Sequence, residues 1–191
     1  MIAVLRHLPN VLSGLRLLAV PVLLVLAATR HETEFAWLLI AAMLSDIADG
    51  WVARAFGFET PLGAFMDSVA DTALMFVAVY GIWVFHRAVM TEHALLCRTA
   101  VGLWVLENVL ALARYGRLSS FHTYLSKIAA NVLGVFIGVL FVIGFYPWMF
   151  YLAIATTILG SLEELALLGV LDEWRTDVRG LWWVLRERNR R

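Results

Sequence analysis

Of the 191 residues, 62% are hydrophobic and 16% are charged, against about 45–50% and about 25% in soluble domains, so the chain reads as a membrane protein. The formal net charge is zero, which removes any global case for a nucleic acid or another polyanion as partner. The single cysteine, Cys97, excludes an intramolecular disulfide and reads as a small core or lipid-facing residue.

Six apolar stretches follow one another, at about 11–29, 35–53, 62–86, 93–113, 124–145 and 147–170. Each approaches the roughly 20 residues that carry a helix across about 30 Å of hydrocarbon. They predict an all-α fold, a six-helix transmembrane bundle forming one integral-membrane domain over 1–191. The opening MIAVLRHL is expected to lie at the membrane surface. Arg6 and His7 precede an apolar run that continues into a full span without a cleavage site, so no cleaved leader is expected. Arg16 falls inside the first span, where snorkelling to a membrane face and contact with phosphate or anionic lipid are both open. The fifth and sixth spans are parted only by a tight turn around Phe145, Tyr146 and Pro147. In the tail, over 172–191, Trp174, Val178, Leu181, Trp182 and Leu185 recur at helical spacing with arginines between them. That pattern predicts an interfacial amphipathic helix, the plain alternative being a basic tail of topological value only.

An even number of spans leaves both termini on one side. That side then carries Arg6, Arg16, Arg54, Arg114, Arg117, Lys127 and the six arginines of the tail, against Arg30, Arg87 and Arg98 on the other. Twelve positive residues against three put both termini inside, in the cytoplasm.

The stretch SDIADGWVARAFGFETPLGAFMDSVAD, over 45–71, also falls on the cytoplasmic side. It holds Asp46 and Asp49, three apart, and Asp67 and Asp71, four apart, so each pair shares a helix face. If the intervening residues join antiparallel helices, the two pairs meet, and four adjacent carboxylates cannot all stay ionised without cations. All-oxygen ligation favours Mg²⁺ or Mn²⁺, and two pairs suit two ions clamping a pyrophosphate or phosphodiester. Gly50 allows close approach to the backbone, Arg54 offers a phosphate fork, Thr60 adds a hydroxyl, and Gly63 opens space one turn from Asp67. The plain alternative is that the acids pair with arginines of the bundle, although only Arg54 lies among them.

Asp46-x-x-Asp49-Gly50-x-x-Ala53-Arg54, eight further residues, then Gly63-x-x-x-Asp67-x-x-x-Asp71 resembles the signature of the CDP-alcohol phosphatidyltransferases, with every fixed residue present. The likeness covers the first third of the chain in residue detail and most of it in architecture. It implies that Asp46, Asp49 and Asp67 hold two Mg²⁺ ions, with Mn²⁺ able to substitute. Asp71 would be a further ligand and the general base. By the same resemblance Arg54 and Thr60 bind phosphate of a CDP-linked lipid, typically CDP-diacylglycerol, and Gly50 and Ala53 leave room for its nucleotide. LPNVLSGLRLLAVP resembles the family's entry segment, which implies that Asn10 and Ser13 touch the nucleotide; Ser13 as a helix cap is equally open. The implied reaction joins a phosphatidyl group to an acceptor alcohol and releases CMP, in phospholipid synthesis, by a homodimer in a bacterial inner (plasma) membrane.

The acceptor is not named by the sequence. Arg114, Arg117, His122 and Lys127, the only lysine, cluster in 113–131 on the same predicted side as the aspartates. They would suit an anionic polyol phosphate such as glycerol 3-phosphate; positive-inside anchoring explains the arginines as well. For Arg98, Glu107, Asn108, Glu163 and Glu164 pairing within the bundle is the default expectation; Glu107 and Asn108 facing the site, and Glu163 and Glu164 bordering an acceptor pocket, are the open alternatives. Two other chemistries are weighed: an aspartate-rich intramembrane prenyltransferase, which would release pyrophosphate, and a divalent-cation carrier, which would need its acids nearer the bilayer midplane.

Overall fold

The computed structural model describes residues 8–56, 61–116, 121, 123–171, 173 and 178–188, and within its helices the side chains of 8–12, 46–56, 61–65, 67 and 68 are outside that description. The described residues form helices and no strand: α1 (Leu8–Ala28), α2 (Glu32–Phe56), α3 (Pro61–Phe85), α4 (Arg87–Glu92), α5 (Ala94–Tyr115), α6 (Tyr124–Val142), α7 (Pro147–Val170) and α8 (Leu181–Arg188). The six long ones coincide with the six apolar stretches to within a few residues. Among the described residues, α5, α6 and α7 are long and apolar enough to cross a membrane, while α1 and α3 contain the shorter apolar runs Ser13–Ala28 and Val69–Phe85. The chain is thus integral to a membrane. It divides into two compact units, Met1–Thr91 and Glu92–Arg191.

In the first unit α1 packs against both α2 and α3. Its buried stripe is Ser13, Arg16, Leu23 and Ala27, while Leu15, Leu18, Val22 and Val25 are exposed on the other face, the division that helical spacing produces. Pro21 sits inside α1; it has no N–H for the carbonyl one turn back, a loss that membrane helices tolerate. The helix ends in a Schellman turn, with His31 N–H donating to Leu26 O at 2.9 Å and Arg30 N–H to Ala27 O at 3.2 Å. Arg30 takes the left-handed position (φ 63°) usually given to glycine, and its Nη1 donates to Val84 O at 2.5 Å.

Contacts at that end fix the direction of α2 against α3. The Phe35 and Phe85 rings lie 5.4 Å apart, and His86 Nε2 is 3.3 Å from Glu32 Oε1. The start of α2 therefore meets the end of α3, and the two helices are antiparallel.

In the second unit α7 packs against both α5 and α6. Gly160 lets the backbones close in: a Cβ there would already touch Ser126 Cα and Ala129 Cβ at 3.6 Å. The turn expected around Phe145–Pro147 is present, with Gly144 at φ 125° and Pro147 opening α7, where its missing N–H costs nothing. His93, just before α5, stacks on Phe150 at 4.6 Å and pins that turn.

The tail corrects the sequence expectation. The helix begins only at Leu181, so Val178 lies outside it, and Trp174 is outside the described residues. Gly180 is the physical reason. Its φ of 147° breaks the helical path, and it lets Leu181 N–H donate to Glu163 Oε1 at 3.0 Å. Trp182, Trp183 and Leu185 are exposed beyond it, as an interfacial segment requires.

Candidate active site

The signature residues lie on the antiparallel pair. Asp46, Asp49, Gly50, Ala53 and Arg54 are in α2, and Gly63, Asp67 and Asp71 are in α3. Carrying the Phe35–Phe85 register along both helices sets Asp49 level with Asp71. Asp46 and Asp67 then fall about one turn, roughly 5.4 Å, to either side of that level. Two antiparallel helices thus carry four carboxylates within about two turns, a donor set that fits hard divalent cations. Among the described residues no group of His, Cys, Asp or Glu is placed to hold a metal; the side chains of Asp46, Asp49 and Asp67 lie outside them. Thr60, His122 and Arg117 lie outside the described residues.

Helix α1 supplies what the signature leaves out. Arg16 Nη1 donates to Asp71 Oδ1 at 2.7 Å, with the arginine side chain fully buried and the aspartate 49% exposed. Snorkelling is therefore the wrong account of Arg16: it points into the helix cluster, and an ion pair with α3 replaces the membrane face. A Cβ on Gly14 would stand 3.8 Å from Met66 Cε, so the segment around 13–16 runs beside the acid-bearing turn of α3. Ser13 is buried there. It is inside α1, which starts at Leu8, so it does not cap the helix. Asn10 is in the same helix, one turn before Gly14.

The residues expected at an acceptor site belong to the second unit and divide by use. Arg114 is committed to the end of α7: Nη1 donates to Leu168 O at 2.5 Å and Nη2 to Leu171 O at 3.0 Å. Tyr115, which sequence reasoning passed over, adds its hydroxyl to Leu171 O at 2.6 Å. Lys127 is exposed one turn into α6, behind the Thr123 cap, whose hydroxyl accepts from Ser126 N–H at 3.0 Å. The polar groups inside spans divide between bonds across helices and bonds within their own helix. Glu107 accepts from the Ser161 hydroxyl near Glu164, Asn108 donates to Trp104 O at 2.9 Å, and Arg98 donates to Ala94 O at 3.2 Å.

Comparison with known proteins bears on the whole arrangement. Residues 6–159 match the CDP-alcohol phosphatidyltransferase family. Over 75 residues, 37% of this chain and 34% of the relative, the sequence is 37% identical to a CDP-diacylglycerol--glycerol-3-phosphate 3-phosphatidyltransferase of Cereibacter sphaeroides. A Mycobacterium bovis protein with the provisional name cardiolipin synthase is 32% identical over 104 residues, half of each chain. A CDP-diacylglycerol--glycerol-3-phosphate 3-phosphatidyltransferase of Rickettsia typhi is 28% identical over 137 residues, 67% of this chain and 76% of its own. The chain thus spans only a third to a half of the length of the first two relatives. No solved structure matches. With the signature complete on α2 and α3, and the match running from the start of α1 into α7, the chain belongs to the CDP-alcohol phosphatidyltransferase family.

Proposed function

We propose that this protein transfers a phosphatidyl group from CDP-diacylglycerol to glycerol 3-phosphate and releases CMP, as a six-span, single-domain enzyme of a bacterial inner membrane with its site facing the cytoplasm. The observation that carries the proposal is the complete family signature on one antiparallel helix pair, with its last acid, Asp71, held by a buried arginine. The names of the C. sphaeroides and R. typhi relatives support the acceptor.

Asp46, Asp49 and Asp67, with Asp71 beside them, would hold two Mg²⁺ ions. When bound, these ions would neutralise the pyrophosphate and the developing charge on the departing CMP. Arg54 and Thr60 bind phosphate of the donor, Gly50, Ala53 and Gly63 leave room for it, and Asn10 lines the nucleotide, whereas Ser13 is too buried to reach it. Asp71 takes the proton of the acceptor hydroxyl as that oxygen bonds to the β-phosphorus; the bridging P–O bond breaks and CMP leaves with its electron pair. Lys127 meets the acceptor phosphate, aided by His122 and Arg117. Arg114, occupied by carbonyls, contributes less to that contact. A homodimer is the proposed assembly.

Purified protein with CDP-diacylglycerol, Mg²⁺ and a panel of alcohols tests this directly. CMP release is expected with glycerol 3-phosphate and its loss with a chelator. The panel includes phosphatidylglycerol because of the M. bovis relative; turnover with that alcohol alone would change the acceptor. Absence of CMP in every arm, or pyrophosphate release from a polyprenyl diphosphate, would overturn the reaction.

A further inference from the structure

The Arg16–Asp71 pair is asymmetric. The guanidinium is sealed inside the helix cluster, while the carboxylate it grips is about half exposed, and the contact joins residues 55 positions apart on α1 and α3. A permanently charged side chain is costly to bury, and an apolar residue in its place would often serve stability as well. A fully buried guanidinium cannot itself meet the donor or the acceptor. The carboxylate it holds is the partly exposed member of the contact, and so a route from the guanidinium to the reaction. A carboxylate on a two-torsion side chain turns about its terminal bond at little cost. Fixing Oδ1 by a 2.7 Å charge-assisted hydrogen bond removes that freedom.

We infer that Arg16 is a positioning residue: it locks the Asp71 carboxylate in the one orientation from which it can take the acceptor's proton. The inference rests on the reading of Asp71 as general base. A helix-to-helix tie of purely structural value would affect folding and leave turnover by the folded protein intact. Positioning predicts the opposite pattern, since misplacing a reacting group by about 1 Å can cost about a hundredfold in rate.

The test uses the full chain in detergent or nanodiscs with CDP-diacylglycerol and glycerol 3-phosphate, and Mn²⁺ binding in the absence of substrate. Arg16→Gln is expected to lower kcat by about thirtyfold or more. KM for both substrates should stay within about threefold, because no donor contact is removed; Mn²⁺ affinity should fall by about tenfold, since Asp71 is also a proposed metal ligand, so kcat is read at saturating Mn²⁺. Arg16→Lys keeps the charge but replaces the rigid fork by a point donor, so it should recover part of the loss and remain about fivefold or more below wild type. If the Gln variant does not accumulate as folded protein, the Lys variant carries the test, and a wild-type kcat there overturns the inference. So does wild-type kcat in folded Arg16→Gln, or a change confined to KM or to Mn²⁺ affinity. Asp71→Asn separates the two levels: wild-type turnover would remove Asp71 as base, whereas an inactive Asp71→Asn beside a fully active Arg16→Gln removes only the positioning role.

Discussion

Arg16 in the first unit and Arg114 in the second are used in opposite ways. In the first, a buried arginine reaches across helices to an acid that stays partly in contact with the surroundings. In the second, comparable groups are directed at the backbone: Arg114 and Tyr115 at the end of α7, Glu163 at the start of α8, and Asn108 at its own helix. The bonds of Arg114 and Tyr115 go to carbonyls at the end of α7 that lack helical donors, and they serve the fold. A side chain–side chain pair with one exposed partner keeps a reactive group oriented. Membership of a polar network is therefore a poor guide to function until its other end is identified.

The contrast can be broken most forcefully at Asp71. Asp71→Asn should cut transfer by about 10²–10⁴-fold, the usual worth of a general base, while the folded protein still binds the CDP-lipid. Near-normal CMP release would erase the distinction between the units. Asp67→Ala comes next. Losing an outer-shell partner of a metal ligand typically costs about 10–100-fold, so losing a ligand should cost at least that in both rate and Mn²⁺ affinity. Calorimetry with unchanged Mn²⁺ affinity would count against it.

Within the second unit, Lys127→Ala should raise the acceptor KM by about tenfold, one charge-assisted hydrogen bond of roughly 1.5 kcal/mol. Arg114→Ala should instead cost about 1 kcal/mol of stability, by taking the side-chain donor from Leu168 O while Leu171 O keeps Tyr115, with the smaller effect on that KM. The reverse order would mean that Arg114 serves the acceptor and the contrast is drawn in the wrong place. Gly180→Ala is the mildest change. A Cβ there would meet Glu163 Oε1 at 2.8 Å on a backbone of positive φ, so α8 should detach locally, at about 1 kcal/mol. Faster trypsin cleavage at Arg186 and Arg188, with the main melting transition unmoved, is the expected sign; unchanged cleavage would show that the tail is held elsewhere.

Much of this was legible in the sequence because it is local. Apolar length located six helices, and fixed spacing within 26 residues located the acids on two of them. What was not legible depends on partners far along the chain. Nothing near Arg16 announces Asp71, so a lone arginine in an apolar run reads as one that snorkels. Arg114 reads as an anchor or an anion ligand because its true acceptors are carbonyls, which are present at every position and mark none. The tail pattern continued through Gly180 because apolar periodicity is blind to a single left-handed residue that a contact with Glu163 selects.

Lys127 has a practical consequence. It is the only lysine in the chain and is exposed on the first turn of α6. Apart from the α-amino group, an amine-reactive dye has one side chain to attack, so the natural protein can be labelled at the edge of its proposed acceptor site without mutagenesis. Protection of that amine by glycerol 3-phosphate would then report occupancy while no turnover is taking place.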